Sequence, residues 1–465
     1  MNIAFVGNGW EGCKTELFLR IAEGLKKQIK GLDAFYICGG QRQKDYLMGH
    51  NVPESHLLLL NWYRRFEHNS PIGDYKLNEL AGYDRSMKYY VKDGLEYLKS
   101  VQLPFYNFIK DNNIRYVFGE MTWAYEIILA RICQDKFKGQ CTYLHPQSIR
   151  IPNGRFCFMD TEFQDSLYQP TEYIQPEGVL SEFQLPIKPV VPQRVAVVAS
   201  DLKETMKLRH RLGRLYRSFK WHRNNTLEDI QGLPLTWYKR NKREVMSEFN
   251  TFYYTKVLNK AKWDDFKDKK YVFVTLHMQP EASVDVVGRY YDDQLQNIKN
   301  VWRILPTDCY LVVKEHTNAI GDRSRGFFRS LQQLTNVVIP DENISSHKIL
   351  NNSIGVFTIS GTVALEAALY RKDAFIFGRT FFDKLKYCHR ITLEDFKDCA
   401  NFEDLKAKCI ERDKNKMDLE DYSEYIIRSS FPGIIDPPVK SYLYQDPENI
   451  ATIVSSFMLF LEKCK

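Results

Sequence analysis

The 465-residue sequence contains ten cysteines but no CxxC pair, and no Cys/His cluster at zinc-binding spacing. That excludes the usual structural zinc sites, and no metal is expected. The start, MNIAFVGNGW, has neither a basic n-region nor a long apolar core, so it does not read as a signal peptide. The cysteines are accordingly expected as reduced thiols in a cytoplasm. Long hydrophobic runs are missing too. The stretch IATIVSSFMLFLE near the C-terminus falls well short of a membrane-spanning helix. Glycine (24) and proline (18) are ordinary in number, which excludes a low-complexity chain. Charge of one sign is scarce. Sixty-five Lys and Arg against 58 Asp and Glu leave +7, too little to argue for a nucleic-acid partner. What is present is 44% hydrophobic residues, enough for a full core, and 14% aromatics, which suit either that core or sugar-stacking surfaces.

Strand and helix patterns alternate. IAFVG, DAFYICGG, IRYVFGE and QCTYLHP read as strands in the first half, with the amphipathic LFLRIAEGLKKQI after the first. Residues 50–100 read as mostly helical. From Lys270 the strands YVFVTLH, CYLVVKEH, NVVIP, IGVFTIS and DAFIFG are separated by four helices, and the remainder from about Phe381 reads as helical and polar. The pattern predicts an α/β chain with two Rossmann-like domains facing across a cleft. The expected boundaries are 1–200 for an acceptor-side domain and 201–268 for a basic helical insertion. A nucleotide-binding domain follows at 269–425, and a helical tail at 426–465 packs back toward the first domain. The insertion opens with a run in which Lys203, Lys207, Arg209, Arg211, Arg214, Arg217, Lys220 and Arg223 recur at helical spacing with Tyr216, Phe219 and Trp221 between them. This is either a solvated basic face or a surface for an anionic membrane or glycan.

Ligands in such sheets bind beyond the carboxyl ends of the strands. Four polar strand ends of the second half would converge there: HMQPEAS, KEHTN, SGT and GRTFFD. In SGT, Gly361 lets the backbone approach a phosphate, and Ser360 and Thr362 are placed to cap the following helix or contact the phosphate. Glu366 lies about one turn on and is placed for ribose hydroxyls. Lys314 and His316 alternate on an extended strand end and share a face, which suits a phosphate leaving group. Glu281, in the same loop as Gln279, is the strongest carboxylate candidate, as a base or as a nucleophile. In the first half Gly7, Gly9 and Gly12 fit a dinucleotide loop, but Asp33 is a poor ribose ligand, so the loop is read as substrate-facing. Glu120 in FGEMTW, with Arg150, Asn153 and Arg155 in SIRIPNGRF, forms the expected acceptor or sugar contact, the arginines suiting an acidic group.

The ordered set FGEMTW, SIRIPNGRF, LHMQPEAS, KEHTN and TISGTVALEAALY, spanning roughly residues 110–380, resembles the capsule polysaccharide biosynthesis family, which includes the Kdo transferases that use CMP-Kdo. The resemblance implies a GT-B fold, a nucleotide held mainly by the C-terminal domain and no metal. It also implies a retaining transfer in which an acidic residue, here Glu281, attacks the anomeric carbon. The family's His-Pro motif, which holds the nucleotide phosphate, maps onto His316. The chain departs from the Kdo enzymes in having Glu281 where they have Asp, and Thr317 where they have Pro.

The resulting expectation is a cytoplasmic glycosyltransferase, peripheral on the inner membrane. Its donor is a nucleotide sugar, CMP-Kdo first, and its acceptor a lipid-linked capsule or lipopolysaccharide glycan. The segment Lys203–Arg223 would contact the anionic membrane, with no cofactor and no nucleic acid involved. A UDP-sugar epimerase of the same architecture and a non-catalytic assembly or export component are the alternatives.

Overall fold

Apolar runs bounded by turn residues become buried parallel strands in both halves of the chain. The structure is a computed structural model that describes residues 1–9, 13–60, 71–168, 207–210, 212, 213, 215, 216, 237–436 and 444–463. The chain divides into two units. The first takes Met1–Phe183 and Tyr425–Lys465, the second takes Thr236–Glu424, and the segments between Gln184 and Leu235 are shared between them.

In the first unit the strands are β1 (Asn2–Val6), β2 (Asp33–Cys38), β3 (Leu57–Leu59), β4 (Ile114–Gly119), β5 (Thr142–Ile149) and β6 (Arg155–Met159). The seven-stranded sheet runs Phe431–Pro432, β6, β5, β4, β1, β2, β3. Strands β1 to β5 pair in parallel, and β6 pairs antiparallel with β5 and with Phe431–Pro432. The order reverses between β1 and β4. The C-terminal helix Pro447–Lys463 covers this sheet beside the helix Lys14–Gln28. Its Phe457 and Phe460 stack among Phe118, Phe156 and Phe158, with the Phe158 and Phe460 rings 4.3 Å apart. The aromatics here fill the core rather than a sugar platform.

In the second unit the strands are β7 (Tyr271–Thr275), β8 (Tyr310–Lys314), β9 (Val337–Val338), β10 (Val356–Thr358), β11 (Ala374–Ile376) and β12 (Cys388–Arg390). The six-stranded sheet is parallel throughout and runs β12, β11, β10, β7, β8, β9. Its order reverses between β7 and β10, the switch point at which such sheets bind ligands. Both units therefore have the Rossmann-like α/β architecture expected.

Four strands differ from the sequence reading. β3 lies in the stretch read as helical, and β12 and Phe431–Pro432 in the stretch read as helical and polar. β6 lies in what reads as a Pro/Gly loop; it forms a hairpin with β5 across Pro152–Gly154. Of the basic run Lys203–Arg223, residues 208–210, 212, 213, 215 and 216 are helical. Its other cations, apart from Lys207, lie outside the described residues. No helix among the described residues is long and apolar enough to cross a membrane.

Candidate active site

At the switch point of the second unit the chain leaves β7 through His277 and leaves β10 through Ile359. His277 is buried, and its ring joins the two strand ends. Nε2 lies 2.8 Å from Thr358 Oγ1 and accepts the amide of Ile359 at 3.3 Å, which assigns the ring proton to Nδ1. Burial, helped by the neighbouring Arg323 guanidinium and the His316 ring, pushes its pKa down to about 3, so the ring is neutral.

Gln294 fixes the same residue from behind. Its Oε1 accepts the His277 amide at 2.8 Å and its Nε2 donates to the His277 carbonyl at 3.2 Å. Gln279, expected to contact nucleotide, spends its amide inside the loop. It donates to Asp285 Oδ1 at 3.0 Å and accepts from Gln294 at 3.3 Å.

Glu281 is half-buried and precedes the short helix Ala282–Asp285. Its carboxylate accepts the hydroxyl of Ser283 at 2.8 Å. Ser360 Oγ in turn donates to the Ser283 carbonyl at 2.8 Å, so the loop carrying Glu281 is tied to the loop carrying Gly361. Gly361 precedes the helix Thr362–Leu369, and a Cβ there would lie 2.7 Å from Thr358 Oγ1 and 3.2 Å from His277 Cε1. Only glycine fits without displacing the histidine. Thr362 opens the helix, whose first amides are its anion-attracting end. Glu366 sits one turn in, with Oε2 3.4 Å from His347 Nδ1.

After β8, Lys314 and His316 make separate contacts. Lys314 is buried, its ammonium donates to the carbonyl of Glu342 at 3.2 Å, and burial lowers its pKa to about 8. His316 opens the turn Thr317–Ala319 and takes the Asn318 amide on Nδ1 at 3.2 Å, which leaves its ring proton on Nε2. Glu315 between them is buried and faces Arg323, which pairs with its carboxylate and also donates to the carbonyl of His277. Burial still outweighs the guanidinium and raises the Glu315 pKa to about 7.

At the switch point of the first unit, Glu120 leaves β4 and Asn8 follows β1, with Asn8 Nδ2 donating to Glu120 at 3.4 Å. Lys14 is buried, 3.2 Å from Glu120 and 2.6 Å from Asp436. Burial pushes the Glu120 pKa up, but Lys14 and His145 together bring it below the usual value. Arg150 and Asn153 are exposed on the hairpin turn. Arg155 corrects the sequence reading. It is 4% exposed, and its guanidinium donates to Ser430 Oγ at 2.9 Å and to the Ser430 carbonyl at 2.7 Å. It pins the sheet edge and is spent before any sugar arrives.

Sequence reasoning missed His277 as the hub, together with Thr358, Gln294 and Arg323. The usable signal was a histidine directly after a buried strand. Among the described residues no His, Cys, Asp and Glu group is arranged to hold a metal.

No curated protein matches the sequence. Several solved structures align along much of the chain at low similarity. KpsC from Thermosulfurimonas dismutans, a beta Kdo 2,7 transferase, is 13% identical over 76% of this chain and 89% of its own, with a TM-score of 0.34. MnaA from S. aureus, solved with UDP, is 13% identical over 99% and 97%, with a TM-score of 0.28. A putative UDP-N-acetylglucosamine 2-epimerase from Listeria monocytogenes is 11% identical over 100% and 97%, with a TM-score of 0.29. The family model described as capsule polysaccharide biosynthesis protein matches residues 211–406. That span, under half of the chain, holds HMQPEAS, KEHTN and SGT, the motifs by which the sequence resembles this family.

Proposed function

We propose that the protein is a glycosyltransferase that moves a sugar from a nucleotide donor to a growing capsule or lipopolysaccharide glycan. The observation that carries this reading is the joining of Glu281, His277 and the Gly361–Thr362 helix start through Ser283, Ser360 and Thr358. A half-buried carboxylate is thereby tied to an anion-attracting helix end, which suits attack at an anomeric carbon beside a departing phosphate.

In the retaining form of the reaction the Glu281 carboxylate attacks the anomeric carbon as the bond to the nucleotide phosphate breaks. The phosphate leaves with the electron pair. His316 donates from Nε2 to its oxygen, and the amides at Thr362 add positive potential. An acceptor hydroxyl then displaces the Glu281 carboxylate and passes its proton to a phosphate oxygen of the departed nucleotide. The donor is a nucleotide sugar, CMP-Kdo first, with Glu366 placed for the ribose. Gln279 acts by holding the loop, and Lys314 by fixing the loop at Glu342. Glu120, Arg150 and Asn153 remain the acceptor-side residues. The acceptor is lipid-linked and reached from the cytoplasmic face, with the Lys203–Arg223 run on the anionic surface.

The test pairs calorimetry against CMP, UDP and GDP with a transfer assay. Glu281→Gln keeps nucleotide affinity and abolishes transfer. His316→Ala loses one charge-assisted hydrogen bond, about 1.5–3 kcal/mol, or roughly 10- to 150-fold in affinity. Full transfer by Glu281→Gln would remove Glu281 from the chemistry. UDP-sugar epimerisation without any acceptor would replace the transferase reading.

A further inference from the structure

We propose that the outer face of the helix Trp237–Phe252 docks the protein onto an anionic lipid bilayer. The inner face of this helix is fixed. Thr251 is buried there, as is Tyr254 in the turn that continues the helix, and Asn250 Nδ2 donates to the Gly321 carbonyl at 3.2 Å. Gly321 has φ +104°, and a Cβ there would fall 2.3 Å from Thr251 Oγ1 and 2.9 Å from the Ser247 carbonyl. The helix therefore lies in backbone contact with the loop that follows His316, and rolling it over would break that contact.

The face that remains outside is apolar. Val245, Met246, Phe249 and Phe252 are 40%, 48%, 65% and 49% exposed. Positions 245, 249 and 252 share one stripe of a helix, and Met246 lies beside it. Lys242 and Arg243 precede the stripe and Lys256 follows it, all exposed. Between residues 242 and 257 the most exposed side chains are basic or apolar, while Glu244 and Glu248 are half-buried. The described part of the upstream basic run repeats the composition: Leu208, Leu212 and Tyr216 are exposed beside Lys207 and Arg209.

Apolar side chains rimmed by cations fit an interface of acyl chains and anionic headgroups. They fit a second copy of the chain poorly. A twofold interface would set Lys242 and Lys256 against their own copies, and the acids near this face are exposed Asp322, which already lies by Arg243, and the half-buried Glu244 and Glu248.

The experiment measures binding without any donor, so it is separable from glycosyl transfer. Sedimentation is run with vesicles of phosphatidylglycerol and phosphatidylcholine in equal parts and with phosphatidylcholine alone. Binding is expected to the anionic vesicles, with release at high salt. Phe249→Ser with Phe252→Ser is expected to weaken it at least about tenfold with only a small shift in melting temperature, since Phe249 is mostly and Phe252 about half exposed. Phe249→Trp is expected to shift its emission to the blue on anionic vesicles and to be quenched by brominated acyl chains. No binding to anionic vesicles, undiminished binding by the double serine variant, or an unshifted emission from the Phe249→Trp variant would overturn the proposal. So would a dimer that buries Phe249 in solution.

Discussion

Removing the Arg323 guanidinium should destabilise the second unit by an amount that depends on pH. Two magnitudes compete. A Glu315 that stayed ionised in its buried site without a partner would cost about 3–5 kcal/mol. A Glu315 that takes up a proton escapes most of that cost, and its pKa already lies near 7 with Arg323 in place.

In Arg323→Ala the folded-state pKa rises further. An acid whose folded pKa is raised loses stability as pH climbs. Below pH 7 both forms carry a largely protonated Glu315, and the variant lacks little beyond a hydrogen bond to the His277 carbonyl. Gln294 still donates to that carbonyl at 3.2 Å, so this floor is about 1 kcal/mol. Above pH 7 the deficit grows by about 1.4 kcal/mol per pH unit and reaches roughly 4 kcal/mol near pH 9. For a unit of this size that corresponds to a melting shift of about 2–4 °C at pH 6 and roughly 8–16 °C at pH 9.

Calorimetric melts of wild type and variant across that range read the difference directly. Glu315→Gln added to Arg323→Ala should remove the slope and leave the floor. Equal deficits at pH 6 and pH 9 would refute the titration of Glu315 as the cause.

His389 sits between Asp413, at 2.8 Å, and Asp373, at 3.1 Å. Burial works against its charge, but the two carboxylates win and raise its pKa, so its contribution is complete below about pH 6.5 and fades as pH rises through the folded value. Asp373 and Asp413 have lowered pKa values, Asp413 to about 2 against its burial, so their share is lost only on strong acidification. His389→Gln should flatten the alkaline side of the unit's melting profile, and an unchanged profile would contradict this account. Gly361→Ala puts a methyl group 2.7 Å from Thr358 Oγ1; it should cost about 1–3 kcal/mol and lower nucleotide affinity at least tenfold, and unchanged affinity by calorimetry would remove the helix start from the site. Lys14→Met leaves Glu120 and Asp436 facing each other; it should destabilise the first unit by about 3 kcal/mol while nucleotide binding by the second persists, and loss of both together would show that the units do not melt independently.

The strands that were legible are those with long apolar runs, such as Tyr271–Thr275 and Tyr310–Lys314, because burial on both faces leaves no polar alternation to confuse. Cys388–Arg390 was not legible. Three residues with two polar side chains carry no periodic signal, and the strand stays in the sheet through His389 and its distant aspartates. β6 was legible in principle, since Pro152–Gly154 between two apolar stretches is a hairpin signal. The motifs after β7, β8 and β10 could be read as strand ends. Their division of labour could not, because His277 acquires its role from Thr358 and Ile359, some eighty positions away. Arg323, in the polar run GDRSRG, reads as a surface loop until Glu315 is seen folded against it.

The closing helix Pro447–Lys463 has a consequence for how the chain is made. The second unit has all its strands once Arg390 has left the ribosome, whereas the first still lacks Phe457 and Phe460. At roughly 5–20 residues per second that interval lasts several seconds. Through it Phe118 and Phe158 present an uncovered aromatic sheet face to the cell. The later-encoded unit is thus free to fold first, and the earlier one completes its core only when the helix Pro447–Lys463 arrives.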